Sequence, residues 1–212
     1  MINKRLFFIV FSLYLFTACN SDEAAISNLF DDYKAALAAK DYSIICSSLD
    51  NKSIDLYKEI AYLASRADST KLSRKPSFVR YEVLLLRQKL NRDQLVRLSW
   101  EDVCQFGIDK IDFSESLAKS ELGISKIKED QAVYYLIIGG QQTDKSLYFK
   151  KEGDEWRLNA AKAYSMISKL SYWGSFNADK KAENAALEQS IIRDTGSPLK
   201  ENIWMVPSDW EK

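Results

Sequence analysis

Residues 122–160 carry the pattern that most restricts how this chain can fold. The stretch "AVYYLIIGG" is a β-branched and aromatic run that ends in two glycines, and "SLYFKKEGDEWRLN" holds two alternating pieces around Gly153 and Asp154. Gly153 can adopt the positive φ that a tight hairpin requires, and Asp154 tolerates it. The pattern predicts an antiparallel meander of three or four strands. Because residues 132–138 are apolar at every position, we expect both faces of this sheet to be covered at its centre.

The chain before the meander has helical patterns. Apolar residues recur at helical spacing in 24–39, in 53–67 and after Pro76, and the polar stretch 68–77 predicts a loop. Two further helices have capping pairs at their starts, and Gly107 is expected to end the second. The two pairs are Asn91 with Gln94 and Ser99 with Asp102.

The chain after the meander predicts a covering helix at 161–173, followed by a helix-prone stretch and an irregular tail. The tail is unusually apolar, so we expect it to pack back on the domain or to form an exposed binding segment. Its apolar residues are Trp204, Met205, Val206 and Trp210. The predicted fold class is therefore α+β: N-terminal helices packed on a curved antiparallel sheet of three to four strands, followed by a covering C-terminal helix.

The N-terminus has the three zones of a secretory leader. Lys4 and Arg5 precede an apolar core of about ten residues, which is too short for the roughly twenty that a membrane-spanning helix needs. The following "FTAC" resembles the lipobox of bacterial lipoproteins. This resemblance implies removal of residues 1–18, a diacylglycerol on the thiol of Cys19 and acylation of the new amine, typically with palmitate. We therefore expect 19–23 to form a tether.

Such a chain would be a lipoprotein of the bacterial cell envelope, with its domain outside the cytoplasm, for example in the periplasm. Two acylation signals on one terminus are consistent with stable anchoring, because a single chain binds a membrane only marginally. The alternatives are an ordinary signal peptide with an accidental cysteine and an uncleaved anchor.

Composition excludes several classes of function. Lys plus Arg and Asp plus Glu both number 30, and the charges are interspersed, so we expect no nucleic-acid partner. The chain has no histidine. This excludes Ser-His-Asp and Cys-His nucleophile systems and histidine-ligated zinc or haem, but it leaves carboxylate, lysine and tyrosine chemistry open. We expect no metal or other cofactor.

Two cysteines remain once Cys19 carries lipid. In an oxidising compartment Cys46 and Cys104 could form a disulfide that closes a loop of about 59 residues. The alternative is that both are small buried apolar residues on helices.

Two segments, 36–42 ("ALAAKDY") and 147–158 ("LYFKKEGDEWRL"), together with the order of helices before strands, resemble the NTF2-like (cystatin-like) α+β fold of small bacterial envelope lipoproteins. The resemblance covers about a third of the mature chain. It implies an NTF2-like domain at 24–176, with a helical middle, and a C-terminal helix and tail at 177–212.

NTF2-like folds can hold a pocket between helices and sheet, and the resemblance implies Asp32, Tyr33, Tyr81, Tyr135 and Trp156 as residues that could line it. Plain core packing is the alternative for the aromatic residues. We expect a non-enzymatic module that binds a protein or a small apolar ligand. The other readings are an isomerase or hydrolase that uses a buried Asp with Tyr, and an immunity or inhibitor lipoprotein.

Overall fold

The computed structural model describes residues 4–110, 117–163 and 179–210, and it divides the chain into two compact units. The first, which we call the sheet unit, consists of Met1–Asp50 and Asp112–Asn159. The second, the helical unit, consists of Asn51–Ile111 and Ala160–Lys212. This division differs from the predicted boundaries, because the helices after residue 50 pack with the C-terminal part of the chain.

The sheet unit contains the predicted antiparallel meander with four strands. They are β1 (Glu121–Lys128), β2 (Gln131–Ile138), β3 (Gln141–Glu152) and β4 (Glu155–Leu158), in the spatial order β1-β2-β3-β4. Gly153 adopts a φ of 63° in the β3–β4 turn, as predicted. The α+β class and the antiparallel sheet are thus confirmed.

Two helices complete the sheet unit: α1 (Lys4–Ala39) and α2 (Tyr42–Ser47). The apolar stripe of α1 meets one face of the sheet in a core formed by Phe30, Leu117 and Leu136. Partly buried side chains surround this core: Tyr33, Leu37, Leu122, Ile138 and Leu147. Helix α1 also runs through residues 19–23, where the sequence predicted a tether.

The two faces of β2 differ in burial. Ala132, Tyr134 and Leu136 are buried, whereas Tyr135 on the opposite face is 41% exposed. Within the described residues one face of the sheet is covered, and coverage of the other face stays a prediction. Nearly all of the helix predicted to cover the other face, 161–173, lies outside those residues.

The helical unit contains six helices for which the structure gives both ends. They are α3 (Asn51–Arg66), α4 (Ser69–Ser73), α5 (Ser77–Lys89), α6 (Arg92–Val96), α7 (Trp100–Lys110) and α8 (Lys180–Thr195), with a short 3-10 helix at Pro207–Asp209. Helix α3 packs against α5, α6 and α7, and α5 packs against α8. The 3-10 helix contacts α3 and α6.

Local capping explains most of these helix starts. The Asn91 and Gln94 side chains form the predicted capping box, and Ser99 and Asp102 bond each other's backbone N–H in the same way. Two predictions were wrong. The polar stretch 68–77 contains α4, because the Asp68 carboxylate accepts from the N–H of Lys71 and starts a helical turn. Gly107 is buried inside α7 and does not end it, so packing outweighs the helix penalty of glycine, about 1 kcal/mol.

The C-terminal tail packs back on the helical unit. Ile203 and Trp210 are buried, while Met205 is 48% exposed. The ammonium of Lys200 donates to the carbonyls of Arg87 and Leu90 at the end of α5. The prediction that the tail packs back on the domain is therefore confirmed at Trp210.

Candidate functional site

The structure does not gather the residues expected to line a pocket. Tyr33 packs on the core under the sheet, Trp156 is buried on the same side of the sheet in β4, and Tyr135 lies on the opposite, partly exposed face. Asp32 is exposed on α1, so it is not the buried carboxyl that an enzyme of this kind would need. Tyr81 belongs to the helical unit.

Tyr81 is engaged as a structural hydrogen-bond donor. It is buried on α5, and its hydroxyl donates to the carboxylate of Asp194 on α8. Burial raises the pKa of Tyr81 strongly, and the hydrogen bond to Asp194 and the charge of that carboxylate raise it further. A phenol in this state stays protonated and connects two helices, so it does not serve as a base.

Asp50 is a buried aspartate, and it was not among the site residues predicted from the sequence. Asp50 is 1% exposed, and its backbone N–H donates to the carbonyl of Leu158 at 3.0 Å. It stands directly before Asn51, the first residue of α3, which is the position where aspartate is favoured as a helix N-cap. The sequence signal that could have found it is an acidic residue immediately before an amphipathic run.

Glu183 on α8 is a second buried carboxylate, and it has several donors. It accepts from Ser77 and Lys180 and forms an ion pair with Arg80, whose side chain is fully buried beside it. Burial acts to raise the pKa of Glu183, but these three partners outweigh it, and the pKa lies below its ordinary value. This carboxylate is therefore charged, and through Ser77 and Arg80 it joins α5 to α8.

Arg87 on α5 is buried among backbone carbonyls. Its guanidinium donates to the carbonyls of Ala64 at 2.9 Å, Leu63 at 3.0 Å and Ala67 at 2.5 Å, and to that of Ile203 at 3.1 Å. Burial lowers the pKa of Arg87 to about 10. The group satisfies the last carbonyls of α3 and fixes the tail, so its role is structural.

A polar cluster of Asp22, Lys151 and Trp156 lies beside the N-terminal part of α1. We call it the Asp22 clamp. The Asp22 carboxylate accepts from the ammonium of Lys151 at 2.8 Å and from the indole N–H of Trp156 at 3.0 Å. The Lys151 ammonium also lies 5.8 Å from the ring centroid of Trp156. The hydrogen bonds from Lys151 and Trp156 lower the pKa of Asp22. The sequence assigned Asp22 to a tether and gave no signal for its partners, which are about 130 residues away along the chain.

The cysteines of the predicted disulfide are Cys46 and Cys104. Both are buried, and each is disulfide-bonded in the structure. Cys19, the predicted acylation site, lies in α1 three residues before Asp22.

Among the described residues, no helix is long and apolar enough to cross a membrane. In the same part of the chain, no group of three or more cysteine, aspartate or glutamate side chains is arranged to hold a metal ion. Comparisons with protein-family models, curated proteins and solved structures gave no significant match.

Proposed function

We propose that the chain is a membrane-anchored lipoprotein of the bacterial envelope, a non-enzymatic module that binds a partner protein or a small apolar ligand. The observation that carries this proposal is the order of the first 19 residues: two basic residues, a short apolar run, two small residues and Cys19. The structure is consistent with it, because Asp22, only three residues later, already belongs to the folded sheet unit.

The NTF2-like assignment is part of the same proposal. It is supported by a long N-terminal helix on one face of a four-stranded antiparallel meander, with Phe30 of α1 packed on Leu136 of β2. The matching segments 36–42 and 147–158 both lie within this unit.

A binding role is favoured over catalysis by the state of the polar groups. Asp32 is exposed, and the Glu183 carboxylate and the Tyr81 hydroxyl are held by neighbouring side chains. General acid–base catalysis needs a group within reach of the proton that it transfers. The partly exposed sheet face, which carries Val133, Tyr135 and Ile137, offers apolar surface for binding instead.

The test is incorporation of labelled fatty acid in living cells. Native protein should take up label and have the mass of a chain that begins at an acylated Cys19, whereas Cys19→Ser should take up none. The matched control is the double variant Cys46→Ser, Cys104→Ser, which retains Cys19 and should still be labelled. Label in Cys19→Ser, or an unmodified Met1 in the native protein, would contradict the proposal. Crosslinking and pull-down from intact cells would then identify the partner.

A further inference from the structure

The Asp22 clamp lies close to the predicted acylation site. An α-helix rises 1.5 Å per residue, so Cys19 is about 4.5 Å along the α1 axis from Asp22. In a chain that begins at Cys19, Asp22 lies at the end of the first turn of α1 and Glu23 follows it, near the end where negative side chains are favourable to the helix dipole. Contacts and charge at Asp22 therefore stabilise the helix to within one turn of the acylated residue.

The clamp also marks one end of the sheet unit. Lys151 and Trp156, its two donors, are paired with each other and flank the β3–β4 turn. The β1–β2 turn lies at the same end, because the N–H of Lys151 donates to the carbonyl of Asp130 at 2.8 Å and the Lys150 ammonium pairs with the Asp130 carboxylate. We call this the anchor end.

The β2–β3 turn lies at the other end of the sheet. In the β2–β3 pairing Gln131 is opposite Lys150, while Ile138 is opposite Gln141. An eight-residue strand such as β2 is about 25 Å long, so Gly139 and Gly140 stand about that far from the anchor end.

We propose that the Asp22 clamp fixes the sheet unit on a phospholipid surface, with the β1–β2 and β3–β4 turns toward the bilayer and the β2–β3 turn directed away from it. This inference rests on the proposed acylation of Cys19. The clamp acts as a positioning device, because it joins the first helical turn after the lipid to β3 and β4.

Geometry rather than charge sets this orientation. Residues 128–130 and 150–157, which form the anchor end, carry four basic and five acidic side chains. A surface with such balanced charge has little electrostatic attraction to anionic lipid. A polybasic segment, by contrast, gains about 1 kcal/mol of binding free energy per Lys or Arg near the membrane surface. The orientation should therefore be the same on neutral and on anionic vesicles.

The test measures energy transfer from a fluorophore on the acylated full-length protein to an acceptor-labelled lipid in vesicles. One preparation is labelled at Asp154→Cys in the β3–β4 turn and another at Gln141→Cys at the far end, both exposed positions. Native protein should give clearly stronger transfer from position 154 than from position 141. Asp22→Ala should bring the two transfer efficiencies together, because the sheet unit can then change its orientation relative to the acylated Cys19.

Two further variants separate positioning from folding. Trp156→Phe keeps a buried ring but removes the indole donor, and it should reduce the difference in transfer. Asp31→Ala removes an exposed carboxylate of the same helix, which pairs with the nearby Lys34, and it should leave the difference intact.

The outcomes distinguish this inference from the proposed function. Equal transfer from both positions in protein whose mass shows acylated Cys19 would overturn the inference and leave the lipoprotein proposal standing. A difference that survives both Asp22→Ala and Trp156→Phe would also overturn it. A native chain without acyl groups would remove the proposed function itself.

Discussion

At the scale of single residues, Arg87 shows how backbone carbonyls can hold a buried cation. Three of its four acceptors are carbonyls at the end of α3 or directly after it, and the fourth belongs to Ile203 in the tail. Helix C-termini leave such carbonyls without intrahelical partners. The planar guanidinium has five donors in a fixed fork, whereas an ammonium has three, so Arg87 can satisfy more acceptors from one position.

Replacing Arg87 should strongly destabilise the protein. We expect Arg87→Met to lower the free energy of unfolding by about 3 kcal/mol or more, because several buried carbonyls lose their donor. Arg87→Lys should recover only part of this loss. Urea unfolding measures the change, and Arg97→Ala, at an exposed arginine, should stay within about 0.5 kcal/mol of the native value. A loss below about 1 kcal/mol for Arg87→Met would contradict the role given to the buried guanidinium.

Asp22 should make stability depend on pH on the acid side. Its pKa is lowered in the folded protein, so its contribution is present above the unfolded-state pKa of about 3.9 and is lost as the pH falls through the folded-state value. The Asp22 side chain is 23% exposed, so we expect a contribution of about 0.5–1 kcal/mol. Denaturant midpoints of native protein and Asp22→Asn should differ at pH 6 and converge as the pH falls below the lowered folded-state pKa of Asp22. Parallel curves would contradict this assignment.

At the scale of elements, the sequence predicts what local chemistry decides. The hairpin at Gly153 and the capping box at Asn91 follow from residue types at fixed spacing, and both are observed. The partner of α8 could not be predicted, because its buried side includes Glu183 and Ser190 as well as Leu187 and Ile191. A helix that docks through polar groups has no clean apolar stripe, so periodicity alone gives little information about its contacts.

The contact between α5 and α8 should depend on the buried pair Arg80–Glu183. Glu183→Leu leaves the fully buried Arg80 cation without its carboxylate and should cost about 3–5 kcal/mol. Arg80→Met should cost less, because Lys180 still pairs with Glu183. The double variant should cost clearly less than the sum of the two single changes. A double-mutant cycle in urea measures this coupling, and additive losses would show that the two groups act independently.

At the scale of the whole molecule, the candidate site was the least predictable feature. The sequence placed residues 24–176 in one domain, so Tyr81 was grouped with Tyr33 and Trp156. In the structure the chain leaves the sheet unit after Asp50 and returns to it at Asp112, and Tyr81 falls in the intervening segment. Such an interruption leaves no mark in local periodicity, because an amphipathic helix shows the same spacing whichever core it packs on.

The pairing of Cys46 with Cys104 is a further prediction at this scale. A peptide map of oxidised protein should contain a crosslinked pair of peptides that carry these two residues, and reduction should separate them. Closing a loop of about 59 residues is worth roughly 4 kcal/mol in the chain-entropy model. The reduced protein should therefore unfold at lower urea, and an unchanged midpoint, or a crosslink through Cys19, would contradict the pairing.

The discontinuity of both units has a consequence for biosynthesis. The sheet unit needs residues up to Asn159, and the helical unit needs residues as late as Ile203 and Trp210, whose side chains are buried in it. The sheet unit can therefore not be completed until residue 159 has left the ribosome, nor the helical unit until residue 210 has, although contiguous N-terminal domains commonly fold during synthesis. If the leader directs export as proposed, this delay would keep the nascent chain unfolded while it passes through a translocation channel.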